Sequence, residues 1–543
     1  MKSAVKSFFV FLPLIAAFTL LCLYITERAD VLRIADQRLA TSFQQDGREL
    51  VLDWEPLKYP CAYEVKTVAR SSGMIIGAPE YHQFDDENVD GHSYRVPSTA
   101  IPMYYSISAR GIFGRTFDAA ESIANPNFTS PPMPVPIFHY DASNPASLMP
   151  FLVWHVVPDA VCYEVEILSA PPEIEGGISL SKLNHLFSTQ MVFTNGWQAD
   201  LRPFQNQRSL YWRARALGFH HEPIGEFCKA EPIVIDLSRP MPTCPLVNNF
   251  DLMPNFEQPL YPVYSWIPFN QPKLHYEVEL LNHPPTLEHD VMPSADSLWR
   301  QSGLDTASLY DEYGRPFAGP YYWRVRALDE QNNPVGTWSD TEKFIVKDHI
   351  GGVDVAIFGD SISHGGGAVS YPPCALEYSY ATYLDFPTVN LARSGDTSHT
   401  SLDRFESDVL PFKPKNLIIL TGTNSLRARE IKAEDVIDDI GRLSRMCELN
   451  GIRPIFLTLM PINPTNINSV FGTPTDPNWR GKLETINAYI RQQKYFIDLE
   501  PHFYDANKMQ LDDRLSVDGL HPDIKGKMMM AELINQHKNL FAP

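Results

Sequence analysis

Val353-Asp354-Val355-Ala356-Ile357-Phe358-Gly359-Asp360-Ser361-Ile362-Ser363 is an apolar run of strand type that ends abruptly in Gly-Asp-Ser. Apolar residues at consecutive positions read as a parallel strand buried on both faces, and open α/β sheets hold their ligands at the carboxyl ends of such strands. A serine on the turn there is held rigidly and still faces solvent. A lone Gly-Asp-Ser equally fits a serine that only satisfies a turn, so the reading of Ser361 rests on what the rest of the chain brings to it.

From about residue 349 the pattern alternates between strands and helices, the signature of an α/β sheet. The strands are expected at Val353–Gly359, Thr388–Ala392, Asn416–Thr421, Pro454–Leu459 and Tyr495–Leu499. The helices are expected at Ser401–Leu410, Glu434–Leu449, Trp479–Gln493 and Asp523–Leu540. Val436, Ile440, Leu443 and Cys447 recur at helical spacing and form one stripe facing the sheet. Met528-Met529-Met530 reads as core filler. Residues 349–543 are therefore expected to form a flavodoxin-like three-layer sandwich.

A serine hydroxyl is a poor nucleophile until a base takes its proton and a third group holds that base. Ser516-Val517-Asp518-Gly519-Leu520-His521-Pro522 supplies both, with Asp518 three residues before His521 on a Gly-containing turn. Acyl transfer also needs donors for the developing oxyanion, each worth about 2.7–4 kcal/mol of barrier. Gly395 follows the second strand and Asn424 the third, so one edge of the sheet would carry them all. Turn chemistry alone also favours Gly and Asn in these places; their coincidence at successive strand ends is what points to a site.

These four blocks, Gly359-Asp360-Ser361, Gly395, Gly422-x-Asn424 and Asp518-x-x-His521, resemble those of the SGNH hydrolases, the GDSL-type esterases and lipases. The resemblance runs from residue 353 to about 540, a little over a third of the chain. It implies Ser361 as nucleophile, His521 as base then acid, and Asp518 as its orienter. The Ser361 and Gly395 N–H groups and the Asn424 amide would form the oxyanion hole. It implies no metal and no organic cofactor. Ser425 departs from the Asn-Asp that commonly continues the third block, which leaves the donor in place but alters its surroundings. The Gly-x-Ser-x-Gly elbow of α/β-hydrolases is absent, since Ser363 stands where its second glycine would be. Nearby, His364-Gly365-Gly366-Gly367 reads as a flexible substrate loop, Arg427 and Arg429 as a solvated face, and Pro461-Ile462-Asn463-Pro464 as pocket rim.

Upstream, residues 31–348 repeat. Trp54, Trp154 and Trp266 each precede a Tyr-Glu-Val strand, at Tyr63, Tyr163 and Tyr276. Each unit then has a second aromatic strand: Tyr104–Arg110, Tyr211–Ala216 and Tyr322–Ala327. The alternation of period two marks strands buried on one face, and a Trp heading a strand in every unit reads as core rather than as a sugar platform. The units resemble fibronectin type III modules, closely at 131–238 and 239–348 and loosely at 31–130, with proline-rich joints between them. His220-His221-Glu222 lacks a third ligand and reads as an exposed loop. Asn127-Phe128-Thr129 fits a glycosylation sequon.

Residues 1–30 carry Lys2 and Lys6 ahead of an uncharged apolar run of 18 residues, Phe8 to Ile25. No small-x-small cleavage site follows, so an uncleaved signal anchor is expected, with a cleaved signal as the alternative. Either way the bulk of the chain is placed outside the cytoplasm, in a bacterial envelope. The seven cysteines show no ligand spacing and read as free thiols, Cys162 with Cys228 being the one conceivable bridge. A net charge of −20 with no basic tract argues against nucleic acid as partner.

The expectation is an exported serine esterase acting on short-chain, O-acetyl esters of a carbohydrate through an acyl-serine intermediate. Two alternatives stay open. One is a lysophospholipase or thioesterase working near the membrane. The other is a carbohydrate-binding adhesion protein whose hydrolase domain is inert.

Overall fold

A computed structural model describes residues 17–25, 41–46, 49–57, 61–69, 85–89, 91–97, 103–113, 116–124 and 133–541, the last with short exceptions at 158–159, 176, 178, 208, 219–220, 222, 252–256, 350 and 367–374. The Asn127 sequon, His220, Glu222, Gly367 and Cys374 lie outside these residues, as does the first half of the apolar amino-terminal segment. Residues 17–25 of that segment are helical, and no helix among the described residues is long and apolar enough to cross a membrane.

The amino-terminal region is rich in antiparallel sheet, and each repeat folds alike. In the first, Thr41–Asp46, Glu49–Trp54 and Ser93–Pro97 form one sheet; Asp85–Val89, Cys61–Ala69, Met103–Gly111 and Thr116–Ala124 form the other. In the second, Phe151–Val153 pairs with Gly196–Gln198, opposite a four-stranded sheet of His185–Val192, Cys162–Leu168, Ser209–Leu217 and Glu231–Val234. In the third, Leu246–Val247, Val263–Ile267 and Ser308–Tyr310 oppose a sheet centred on His275–Leu281 and Gly319–Leu328.

The repeated letters have a repeated physical use. Each tryptophan packs against its tyrosine, with ring centroids 5.4, 5.1 and 5.6 Å apart for Trp54–Tyr63, Trp154–Tyr163 and Trp266–Tyr276. Each tyrosine hydroxyl accepts a main-chain N–H from the turn between them, from Leu57, Val157 and Phe269 at 2.7, 2.9 and 3.0 Å. The tyrosine is thus amphipathic by design: its ring fills the core and its oxygen staples the turn.

Across the larger sheets of the second and third units run paired charges. Glu166 faces Arg213 and Glu164 faces Arg215; Glu279 faces Arg324 and Glu277 faces Arg326. The arginines lie over Phe227 in one unit and Trp338 in the other, at 4.2 to 4.8 Å. Each glutamate is buried. The first unit has Ser108 opposite Glu64 and Ser106 opposite Lys66, so this ladder is missing, which is why its sequence matches the other two loosely.

The carboxyl-terminal domain is a five-stranded parallel sheet. Its strands are β1 Val355–Gly359, β2 Val389–Asn390, β3 Asn416–Leu420, β4 Arg453–Leu457 and β5 Phe496–Ile497, in the order β2-β1-β3-β4-β5. Every residue of β1 and β3 is buried, as the unbroken apolar runs required. Helix α1 is Ser361–His364, α2 Ser398–Asp403, α3 Phe405–Asp408, α4 Thr423–Arg427, α5 Ala433–Leu449, α6 Pro464–Phe471, α7 Trp479–Ile490 and α8 Ile524–Gln536. The stripe Val436, Ile440, Leu443 and Cys447 of α5 is buried as expected.

Three expectations need correction. The single helix expected over Ser401–Leu410 is two, α2 and α3, because Arg404 between them has φ −94° and ψ 4°. Of the three methionines Met530 lies in the core and Met529 packs against it, while Met528 is half exposed, since consecutive residues of a helix point to different faces. Pro461, Ile462 and Asn463 are buried rather than a rim, and Asn463 caps α6 while its N–H donates to the Gly519 carbonyl.

Removing one partner of a buried ion pair leaves an uncompensated charge and costs about 3–5 kcal/mol. Arg324→Ala should therefore destabilise the third unit by that order in urea unfolding followed by tryptophan fluorescence, because Glu279 is fully buried. Replacing Glu279 and Arg324 together by methionine should cost clearly less. A loss under about 1 kcal/mol for Arg324→Ala would refute this account.

Candidate active site

The parallel sheet delivers the expected residues to one edge. Strand β1 ends at Gly359, whose added Cβ would lie 1.9 Å from the Leu420 carbonyl oxygen. Only glycine lets β1 pass β3 so closely while holding φ at +156°. Asp360 then caps α1, its Oδ1 accepting the Ile362 N–H at 3.0 Å. Ser361 is the first residue of this one-turn helix and is partly exposed.

Ser361 Oγ lies 2.8 Å from His521 Nε2, and His521 Nδ1 lies 2.7 Å from Asp518 Oδ2. A carboxylate only accepts, so the hydrogen sits on Nδ1 and the bare Nε2 faces the serine hydroxyl. Asp518 is fully buried. Its other oxygen accepts the Leu520 and His521 N–H groups, both at 2.7 Å, and the Ser516 hydroxyl at 3.2 Å. Burial by itself would raise this carboxyl; the facing His521 and these hydrogen bonds outweigh it and hold Asp518 below the usual carboxylate range. The turn depends on Gly519, at φ +75°, whose Cβ would meet the Asn463 carbonyl at 2.5 Å.

Gly395 lies in the turn that follows β2, next to Ser394, which hydrogen-bonds His364 of the nucleophile helix, and Asn424 lies in α4 just past β3. Gly395 is exposed, with open space over it. Among the described residues the N–H groups of Ser361 and Gly395 donate to no protein acceptor. Asn424 gives one amide hydrogen to the Asp396 carbonyl at 2.9 Å, which leaves the second. Ser425 is buried and its hydroxyl accepts the Ser398 N–H at 3.0 Å, so the serine that departs from the common pattern ties α4 to α2. The structure thus joins Ser361, His521 and Asp518 by hydrogen bonds, while Asn424 is tied to the Asp396 carbonyl, next to Gly395.

Arg429 is exposed, in keeping with a solvated face; Arg427 is half buried over Phe471 at 5.8 Å, and Phe471 in turn meets the His521 ring edge-on at 6.0 Å. The expected substrate loop is corrected: His364 closes the nucleophile helix, and it and the Gly365 and Gly366 that follow are buried, the two glycine N–H groups donating to the Ser361 and Tyr378 carbonyls.

Sequence reasoning missed the buried charges behind the site. Lys527 of α8 is fully buried and donates to the Ile362 carbonyl at 2.6 Å. Burial pushes its amine down to about 7 despite Asp360, Asp518 and Asp523 nearby. Burial likewise pushes the Asp360 carboxyl up to about 6, and its Oδ2 has no hydrogen-bond partner. A signal was present: Ile524, Lys527, Ala531 and Ile534 share one helical stripe, so the lysine had to face the core. Asp396, also buried, is held by Arg393 and Arg404. Among the described residues no cluster of His, Cys, Asp or Glu would hold a metal. The groove lined by Lys415, Asn416, Arg453 and Tyr495 opens at the amino ends of β3 and β4, away from Ser361.

Residues 357–528 match the GDSL-like Lipase/Acylhydrolase family, whose members are carboxylic ester hydrolases. No curated protein matches the chain. Among solved structures it is similar to a GDSL-like lipase from Bacteroides thetaiotaomicron, with 21% identity over 34% of this chain and 87% of that one and a TM-score of 0.28. It is similar to a lipase/acylhydrolase from Enterococcus faecalis, with 22% identity over 34% and 94% and a TM-score of 0.27. It is also similar to a catalytic mutant of an acetylxylan esterase from Geobacillus stearothermophilus, with 18% identity over 35% and 93% and a TM-score of 0.27.

Two buried groups give the domain opposing pH responses. Burial pushes His364 down to about 4 from an ordinary 6.5, so it stays neutral when folded while the unfolded chain takes up the proton. Its contribution is complete above pH 6.5 and is lost as pH falls toward 4, by roughly 3 kcal/mol. Asp360, raised to about 6, acts in the opposite sense over nearly the same window. His364→Gln should therefore make the domain relatively more stable at pH 4 than at pH 7, by roughly 3 kcal/mol compared with wild type in chemical denaturation. Parallel pH profiles for the two proteins would contradict this assignment.

Proposed function

Proceeding from a GDSL-like acylhydrolase domain at residues 357–528, we propose that this chain is a serine ester hydrolase with Ser361 as its nucleophile. The observation that carries the reading is the hydrogen-bonded series Ser361–His521–Asp518 at a sheet edge where, among the described residues, two main-chain N–H groups and one amide hydrogen remain without acceptors. Ser361 Oγ attacks the ester carbonyl carbon and passes its proton to His521 Nε2. Asp518 holds the ring in the required tautomer and stabilises the imidazolium. The oxyanion takes hydrogen bonds from the Ser361 and Gly395 N–H groups and from Asn424 Nδ2. His521 then protonates the departing alkoxide. Water attacks the acyl-serine with His521 again as base, which returns the acid and the free serine. No metal or organic cofactor enters these steps.

The substrate proposed is a short-chain ester, an O-acetyl group on a carbohydrate. The support is architectural. Three β-rich units, read as fibronectin type III-like modules at 31–130, 131–238 and 239–348, precede the hydrolase domain at 349–543, an arrangement suited to holding an enzyme on a polymer. Beside His521 lies Phe471, and Arg427, over that ring, donates to the Thr473 hydroxyl, so polar groups reach the site's surroundings. The amino-terminal segment is read as a signal anchor that places the domain outside the cell membrane of a bacterium. Long-chain lysophospholipid or thioester cleavage is the alternative the same triad would serve.

Ser361→Ala should abolish hydrolysis of an aryl acetate while far-UV circular dichroism is unchanged, and a serine-reactive phosphonate should label Ser361 in the wild type alone. Asn424→Ala should lower kcat by roughly 100- to 1,000-fold. Acetate release from acetylated polysaccharides should exceed release of long acyl chains from lysophospholipid; strong preference for long chains would overturn the acetyl assignment. A chain that turns over no ester and takes no phosphonate would be a binding protein with an inert hydrolase fold.

A further inference from the structure

His364 ends the helix that begins with Ser361, and its ring is buried between three parts of the protein. Nε2 lies 2.8 Å from the main-chain carbonyl of Tyr261, a residue of the third β-rich unit. A carbonyl oxygen only accepts, so Nε2 must carry the hydrogen. A neutral imidazole has one such hydrogen, so Nδ1 is bare. The bare nitrogen accepts from Ser394 twice, from the hydroxyl at 2.8 Å and from the N–H at 3.2 Å. Ser394 immediately precedes Gly395. One ring therefore joins the nucleophile helix, the loop carrying a proposed oxyanion donor, and a different unit of the chain.

The Tyr261 carbonyl is itself fixed from several sides. The Leu260 N–H donates to the Asn390 carbonyl at 2.8 Å, so this segment lies along the open edge of the sheet, at β2. The Asn390 side chain donates to the Ser363 and His364 carbonyls at 3.1 and 3.0 Å. The Tyr261 hydroxyl donates to Asp408 at 2.5 Å. Arg393 and Arg404 lie over its ring at 5.7 and 5.5 Å. Arg404 also donates to the Gly359 and Leu391 carbonyls at 3.0 and 2.7 Å, on the strands that lead to Ser361 and Gly395. Tyr310 of the same β-rich unit meets the His364 ring edge-on at 5.6 Å. Leu260 and Tyr261 are buried within the core of the carboxyl-terminal domain.

We propose that the third β-rich unit is a working part of the esterase: through the Tyr261 carbonyl it locks His364 in the Nε2–H tautomer, and His364 thereby sets the spacing between Ser361 and the Gly395 N–H. His364 is a positioning residue that touches no substrate. The tautomer is the essential point, because the other one would present an Nδ1–H to the Ser394 N–H and push the oxyanion loop away. The inference rests on the reading of Ser361 and Gly395 given above.

The full chain is assayed with an aryl acetate as wild type, His364→Ala, His364→Gln and Leu260→Pro. Because the oxyanion contact strengthens in the transition state, His364→Ala should lower kcat by roughly ten- to a hundredfold and leave KM within about twofold. His364→Gln keeps a donor for Tyr261 and an acceptor for Ser394, and should recover kcat to within about threefold of wild type. Leu260→Pro removes the N–H that holds the segment to Asn390 and should show the same selective fall in kcat. Long-range proton–nitrogen NMR at neutral pH should show His364 with a protonated Nε2 and a bare Nδ1. An unchanged kcat in folded His364→Ala, a His364→Gln no better than His364→Ala, or the opposite tautomer would each overturn the proposal. If His364→Ala does not fold, Leu260→Pro and the tautomer measurement decide it. If the wild type hydrolyses no ester, the functional reading fails by itself, and the tautomer measurement still judges the lock.

Discussion

Parallel strands bring all their carboxyl ends to one side, and this constraint organises the whole domain. Strand β1 can pass β3 closely only with glycine at 359, where the Leu420 carbonyl occupies the space a side chain would need. The turn that follows presents Ser361, and the turns after β2 and β3 present Gly395 and Asn424 along the same edge. His521 and Asp518 arrive from a separate turn before α8, packed on Asn463 through Gly519. A hydrogen-bonded triad is then a consequence of which ends meet rather than of any local sequence preference.

Gathering these groups removes many charges from water. Asp360, Asp396, Asp518, Arg404 and Lys527 are all buried behind the edge. A buried charge is tolerated when it is paired or spends its hydrogen bonds on main-chain groups. Arg404 does so on two carbonyls and two carboxylates, and Lys527 on the Ile362 carbonyl. Asp360 is the exception, with one oxygen unpartnered, and burial raises its carboxyl accordingly. The same economy is repeated in the amino-terminal units, where the buried glutamates of two sheets face arginines laid on an aromatic ring.

Much of the site was legible because its signals are short in sequence. An apolar run closing on Gly-Asp-Ser and an Asp three residues from a His before a helix are local patterns, and each strand end carried its own turn residue. The repeat upstream was legible for the same reason: a tryptophan, a tyrosine and an arginine-bearing strand recur at nearly constant spacing. What was read wrongly was also local. The glycines after His364 look like a mobile loop, yet Gly365 and Gly366 are buried. Glycine marks freedom of the backbone but does not say whether the protein uses that freedom for motion or for close packing.

The sequence by itself determined the parallel α/β domain, the β-rich repeats before it and the short blocks that carry Ser361, Asp518 and His521, since periodicity and turn chemistry act over a few residues. Only the tertiary structure decided the tautomer of His364, the choice of the Ile362 carbonyl as the acceptor for Lys527 and the seating of Tyr261 beside the nucleophile helix. Those contacts join residues 103 and 165 positions apart. No local propensity encodes them. They follow from which buried donor finds which buried acceptor once the chain has closed on itself.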